Sequence, residues 1–295
     1  MSRTVFILGA GASAPYGFPL GTTLLRTVAH KLAQHATVNL FTQYFGQTPA
    51  VMRSFVNELP NSGRTSVDAF LEHRPEFMTI VKLGIAYGLI DREIPSELFS
   101  DRTGAWLQYL FNRLNRPFDS FGDNQVSFIT FNYDRSLEHY LCTCLRNSYG
   151  KTIDECASQL KRLPIVHLHG SLGALPWQGN KEAIRDYEPE LTVQALKVAS
   201  ENIKVIHEPI PEDDEDFQKA KELLLRAEQV YVLGFGYDAT NMLRLGFKGA
   251  AYPVAQGTGF GLTDHERGLI MRSIDHRIQI GNFDCIGFLR NVVQW

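Results

Sequence analysis

The chain has 295 residues, 44% of them hydrophobic and 21% charged, with a formal net charge of −3. That is enough apolar matter for a core, which excludes wholesale disorder, and the length suits one large domain or a domain carrying an insertion. A balance this close to neutrality argues against a dedicated nucleic-acid binder, so no nucleic-acid partner is expected.

The four cysteines, Cys142, Cys144, Cys156 and Cys285, include no CxxC pair. Neither a disulfide framework nor a structural zinc is expected, and the expected compartment is reducing and cytoplasmic. Near the start, Arg3 precedes the apolar run Val5–Leu8, which is shorter than the roughly 7–15 residues of a secretory signal core. No run of about 18 apolar residues occurs, so no membrane partner is expected.

Along the chain, short apolar runs alternate with helical patterns. The runs Val5–Leu8, Ser127–Phe131, Ile165–Leu168, Lys204–Ile206, Val230–Leu233, Tyr252–Ala255 and Arg277–Ile280 read as strands. Strand, turn and helix in repetition predict an α/β, Rossmann-like fold, a mainly parallel sheet with helices on both faces. Ligands of such sheets lie beyond the carboxyl ends of the strands. Between the first and second strands the alternation stops. Leu24–Gln34, Ala50–Leu59, Val67–Leu89 and Leu98–Leu114 read as helices, punctuated by Pro49, Pro60, Pro95 and Pro117. The expectation is one domain over residues 1–295 with a helical insertion over residues 22–118. The stretch Ser171–Pro189, with Gly173, Pro176, Trp177 and Gly179, reads as a lid or a long loop. The acidic run Glu212–Asp216 reads as the start of a helix, where negative charge suits the macrodipole.

The first strand runs into Gly9-Ala10-Gly11-Ala12-Ser13-Ala14, which fits G-x-G-x-x-G/A. Glycines there permit a tight turn and let backbone amides approach a pyrophosphate. A dehydrogenase then needs an acid about 20 residues on for the adenosine ribose. Here no acidic residue precedes Glu58, which argues against ordinary hydride transfer. The adenosine half of a dinucleotide would need other supports, and Gly234-Phe235-Gly236 and Gly281-Asn282-Phe283-Asp284 follow later strands.

The second strand ends in Thr130-Phe131-Asn132-Tyr133-Asp134 and the third in His167-Leu168-His169-Gly170. Asn and Asp at a strand end also serve as helix caps. Strand alternation puts His167 and His169 on one face. Two histidines so spaced can ligate a metal, but no third ligand stands nearby in sequence, so no metal is expected.

Taken together these blocks resemble a family. Gly9-Ala10-Gly11-Ala12-Ser13 followed by Gly17-Phe18-Pro19 resembles the sirtuin opening G-A-G-x-S with G-I-P. Thr130–Asp134 resembles the sirtuin T-Q-N-I-D block, His169-Gly170 its catalytic H-G, and Gly234-Phe235-Gly236 its later ribose loop. The chain is more similar still to the sirtuin-like NAD-hydrolase domains of bacterial anti-phage defence proteins. That similarity extends to Ser66-Val67-Asp68-Ala69-Phe70-Leu71, which matches a recurring S-x-D-x-F-L element, and to Tyr237 after the glycine loop. Two departures matter. Pro19 is followed by Leu20-Gly21-Thr22 rather than D-F-R, and no cysteine occurs between Cys156 and Cys285, so the sirtuin zinc ribbon beside the acyl-lysine groove is missing.

The resemblance implies an NAD+ glycohydrolase acting in defence by depleting NAD+. NAD+ is then the substrate, with no further cofactor and no zinc. It implies Asn132 and His169 as catalytic residues, Asn132 holding ribose or water and His169 taking a proton. It places Gly9, Ala10, Gly11 and Ser13 at the phosphates, Asp134 at the carboxamide or as a cap, and Gly234, Gly236, Asn282 and Asp284 at the adenosine half. The alternatives are an NAD-dependent deacylase or ADP-ribosyltransferase, and a non-catalytic NAD or nucleotide sensor. The fold takes up all 295 residues, so restraint of a toxic activity is expected from assembly as a homo-oligomer or from a partner such as a defence-system ATPase or sensor. Phe41, Tyr44 and Phe45, in a charge-free stretch, are the contact residues expected if the insertion carries the oligomer surface.

Overall fold

The strands are β1 (Thr4–Leu8), β2 (Val126–Thr130), β3 (Ile165–His167), β4 (Gln229–Leu233), β5 (Ala255–Thr258) and β6 (Ile278–Gly281). In a computed structural model, which describes residues 2–64, 66–179, 183–205, 214–247, 251–274 and 276–295, they form one sheet in the order β3-β2-β1-β4-β5-β6. Every pairing is parallel. β1 is central, with Ile7 opposite Ile129 of β2 and opposite Val232 of β4. All five of its residues are buried, as expected of a strand covered on both faces. Alternation divides the core. Phe6 and Leu8 face one side with Phe128, Tyr231 and Leu233, while Val5 and Ile7 face the other with Ile129, Val230 and Val232.

Between β1 and β2 the described residues are helical. α1 (Ala10–Ser13) is followed by α2 (Gly21–Leu32), α3 (His35–Phe45), α4 (Pro49–Asn61), α5 (Val67–Leu71), α6 (Met78–Ile90), α7 (Pro95–Leu98) and α8 (Leu107–Arg113). The helix expected over Val67–Leu89 is two helices, parted by a 3-10 turn at Pro75–Phe77, where proline supplies no amide. The helix expected over Leu98–Leu114 is likewise interrupted, with Gly104 at φ 84° in the break. α3 is an additional helix. Its Phe41 is fully buried against Phe45 and Tyr87, whereas Tyr44 is exposed. The Ser66 element is a capped turn, the Ser66 hydroxyl accepting the Ala69 amide at 3.1 Å with Phe70 and Leu71 in the core.

The remaining helices are α9 (Ser136–Tyr149), α10 (Ile153–Leu160), α11 (Val193–Asn202), α12 (Glu215–Arg226), α13 (Ala239–Arg244), α14 (Asp264–Ser273) and α15 (Cys285–Asn291). α8, α9 and α15 pack on the Phe6 face, α12 and α13 on the Val5 face, so both faces of the sheet are covered. Two strand expectations are corrected. Lys204 and Val205 are not a strand, because the Lys204 amide is spent on the His169 carbonyl at 2.8 Å; Ile206 lies outside the described residues. The run at Tyr252 becomes a strand only at Ala255, beyond Pro253, which cannot donate to a ladder. The acidic run caps α12 through Asp214, which accepts the Asp216 and Phe217 amides at 3.1 Å; Glu212 and Asp213 lie outside the described residues. No described helix is long and apolar enough to cross a membrane.

Candidate functional site

The strand order reverses between β1 and β4, the point at which such sheets open a crevice. Here the loops that follow these two strands pack directly on each other. The Gly9 amide donates to Leu233 O at 3.0 Å, the Gly11 amide to Gly234 O at 2.7 Å and the Ala12 amide to Gly9 O at 2.9 Å. A Cβ on Gly234, at φ 59°, would stand 2.0 Å from Ala12 N. Gly9, Gly11 and Gly234 are therefore required by main-chain contact. Of the residues expected at the phosphates, Gly9 and Gly11 already spend their amides within the protein, and α1 is a single turn of four residues. Ala10 and Gly236 remain exposed, and nothing lies within 4 Å of a Cβ placed on Gly236. Asn282 is exposed, and Asp284 caps α15 by accepting the Gly287 amide at 2.7 Å.

Four of the expected site residues, Gly9, Ser13, Asn132 and Asp134, meet in one hydrogen-bonded chain. Asn132 Nδ2 donates to Gly9 O and to Ser13 Oγ, both at 2.9 Å, and Ser13 Oγ donates to Asp134 Oδ2 at 2.6 Å. The directions follow from chemistry, since a carboxylate only accepts and an amide nitrogen only donates. Both donors of the Asn132 side chain are thus used, leaving Oδ1 to meet a ligand. Asp134 is buried, and its Oδ1 accepts the Ser136 amide at 3.1 Å at the start of α9. Burial pushes its carboxyl above the usual range against the pull of these hydrogen bonds.

Ser13, Asn132 and Asp134 line a cavity of about 20 Å3 together with Tyr16, Glu138 and His167. That volume holds one water, so a dinucleotide has to lie outside it. His167 Nδ1 stands 2.9 Å from Asn132 O and Nε2 2.5 Å from Glu138 Oε1. The two histidines do not share a face. β3 ends at His167, the chain turns, and His169 swings to the other side against Phe131 and Phe217.

His169 is 2% exposed. Burial lowers its pKa to about 4, so the ring is neutral at pH 7. Nε2 lies 3.1 Å from Asn241 Oδ1, whereas the buried Nδ1 has no partner among the described residues. A neutral ring donating from Nε2 holds an unused lone pair on Nδ1. Asn241 is delivered by the Gly234 loop through α13, with Asp238 Oδ1 accepting its amide at 2.9 Å. Gly170, at φ 70°, admits the end of α11, since a Cβ there would lie 1.8 Å from Asn202 O. Sequence reasoning missed Asn241 and Glu138 as site residues, and singled out His167 only as half of a possible metal pair; Glu138 stands in the first turn of α9, just after the Asn132–Asp134 block.

The stretch after His169 is pinned. Arg135 is 1% exposed and donates to both oxygens of the fully buried Glu93, at 2.9 and 2.5 Å, and to Arg185 O and Asp186 O at 2.6 and 2.9 Å. Arg185 pairs with the same carboxylate. A larger open depression, about 380 Å3, lies on the helical region beside Asn57, Glu58, Arg64, His73 and Arg74, and none of the expected site residues lines it. Among the described residues no group of three His, Cys, Asp or Glu side chains gathers as a metal site. No model of a known protein family matches the chain, and no curated protein matches it.

Proposed function

We propose that the chain hydrolyses NAD+ at the N-glycosidic bond between nicotinamide and ribose, releasing nicotinamide and ADP-ribose. The observation that carries this reading is the chain of hydrogen bonds from Asn132 through Ser13 to Asp134 at the ends of β1 and β2. It turns Asn132 into an acceptor of fixed orientation. Cleavage passes through an oxocarbenium-like state, and nicotinamide leaves neutral, so little acid assistance is needed. Asn132 Oδ1 accepts from a ribose hydroxyl or from the attacking water. The unpaired lone pair of His169 Nδ1 takes up the proton that the hydroxyl or water releases. NAD+ lies across the strand ends, with its phosphates over exposed Ala10 and its adenosine half toward Gly236, Asn282 and Asp284. The same reading makes the protein a defence effector, restrained by homo-oligomer assembly or a regulatory partner.

The test is NAD+ incubated with pure protein, alone and with candidate partner proteins, and with its assembly followed by light scattering. Nicotinamide and ADP-ribose are expected in equal amounts. Consumption that requires an acyl-lysine peptide points to deacylation, modification of a protein or other acceptor points to ADP-ribosyl transfer, and binding without turnover points to a sensor. No nicotinamide in any oligomeric or partner-bound state rules the hydrolase out.

A further inference from the structure

His167 and Glu138 have no part in the reaction outlined above, yet they touch it. His167 reaches two acceptors at once, the main-chain carbonyl of Asn132 at 2.9 Å and the carboxylate of Glu138 at 2.5 Å. A carbonyl oxygen can only accept, so Nδ1 carries a proton. An ionised carboxylate can only accept, so Nε2 carries one as well. With Glu138 ionised, only the imidazolium satisfies both contacts.

The surroundings favour that charge. Glu138 from α9 and Asp134 from the loop after β2 are the acids facing the ring. The other side chains around the cavity, Ser13, Tyr16, Trp106, Thr130, Asn132 and Ser136, are uncharged. Tyr16 is held un-ionised by burial, its hydroxyl accepting the Trp106 and Leu107 amides at 2.8 Å. No lysine, arginine or second histidine lines the cavity, and the Arg135 guanidinium, hydrogen-bonded to Glu93, adds its charge to the pull that keeps Glu138 ionised.

We propose that His167, as an imidazolium paired with Glu138, clamps the carbonyl of Asn132 and thereby positions the Asn132–Asp134 loop, so that a rise in pH unlatches the site. His167 is a positioning residue. It acts through Asn132, whose side chain faces the substrate in the hydrolase reading on which the activity arm of this proposal rests. Burial pulls the His167 pKa down, but the Glu138 charge and the two hydrogen bonds outweigh it and leave the pKa above 6.5. Burial pushes Glu138 up, but His167, with smaller help from a main-chain hydrogen bond and the Arg135 charge, outweighs it and leaves that carboxyl below 4.5. The clamp is therefore complete just below the ordinary histidine value. It is lost as pH rises through the raised value, and on the acid side as pH falls through the lowered carboxyl value.

The experiment is nitrogen NMR of the labelled full chain between pH 5 and 10, with NAD+ turnover over the same range. Both ring nitrogens of His167 are expected to be protonated at pH 6.5, with a midpoint above the ordinary value. The Tyr133 amide, in the same peptide unit as the Asn132 carbonyl, is expected to shift with that midpoint. Turnover should fall about tenfold per pH unit beyond it. Glu138→Gln should move the midpoint and the alkaline limb down together. A ring with one protonated nitrogen at pH 6.5, or a Tyr133 amide that ignores the titration, overturns the clamp whether or not NAD+ is cleaved. A chain that shows the titration and the Tyr133 shift but never releases nicotinamide retains the clamp and loses the hydrolase reading. An alkaline limb that stays fixed in Glu138→Gln overturns the link between clamp and turnover. Should that variant not fold, the wild-type ring nitrogens and Tyr133 amide decide alone.

Discussion

Ser13 Oγ donates to Asp134 Oδ2 at 2.6 Å, joining the turn after β1 to the loop after β2 across 121 residues of chain. The bond gives a buried carboxylate a charge-assisted partner and fixes the hydroxyl so that it accepts from Asn132. Ser13→Ala leaves Asp134 short of one partner and Asn132 Nδ2 short of another. We expect a loss of about 1–3 kcal/mol in urea unfolding, with NAD+ cleavage reduced because Asn132 is no longer oriented.

Asn132→Ala separates chemistry from stability. Its two donated bonds are partly exposed, so the fold should lose only about 1 kcal/mol. Nicotinamide release should fall by about 100-fold or more, the scale on which a positioned polar group contributes to a reaction. Asn132→Asp should be no better, because a carboxylate cannot donate to Gly9 O and faces Asp134. Full activity in either variant excludes Asn132 from the site.

His169 predicts a pH dependence of stability. Its folded pKa is depressed to about 4, so the unfolded chain takes up the proton first. The contribution is whole above about pH 6.5 and is lost as pH falls toward 4, a change of roughly 3 kcal/mol. Chemical denaturation at pH 7 and pH 4.5 should show wild type losing more than His169→Gln. Turnover should be absent from His169→Gln and from His169→Ala at every pH.

Glu93 holds two guanidinium groups out of reach of water. Glu93→Ala strands Arg135 and Arg185, and a buried charge without its partner costs about 3–5 kcal/mol. We expect the transition midpoint in urea to fall accordingly, with proteolysis appearing first between residues 171 and 189. A stability within 0.5 kcal/mol of wild type, on the scale of an ordinary surface change, rejects the pinning role.

The two glycines after β4 should answer differently. Gly234→Ala places a methyl against Ala12 N at positive φ and is expected to abolish the folded state or cost more than about 3 kcal/mol. Gly236→Ala meets open space and should leave unfolding unchanged. If its surface receives the adenosine half, the Gly236 change raises KM for NAD+ and spares kcat.

What could be read from sequence followed from local pattern. Apolar runs marked β1, β2, β3, β4 and β6, and the blocks around Gly9 and Asn132 do converge. Two failures share a cause, the misplaced end of a strand: where β3 stops and where β5 starts. Alternation carried past His167 puts His169 on the wrong face, and the run at Tyr252 ignores the break that Pro253 imposes. The partners that matter most were invisible for another reason. Glu93 meets Arg135 and Arg185, and His169 meets Asn241, only because folding brings together residues 42 to 92 positions apart. No periodicity records such pairings.

β1 is made first and completed late. Its neighbours in the sheet are β2 at Val126–Thr130 and β4 at Gln229–Leu233. During synthesis at about 5–20 residues per second, the segment TVFIL therefore waits seconds for its first partner and longer for its second. For that interval an apolar strand has two open edges, the condition that invites pairing with another chain. Nascent chains stalled before Leu233 should accordingly be the aggregating species, and helper proteins that shield the β1 segment should raise the yield of folded protein more than those acting after release.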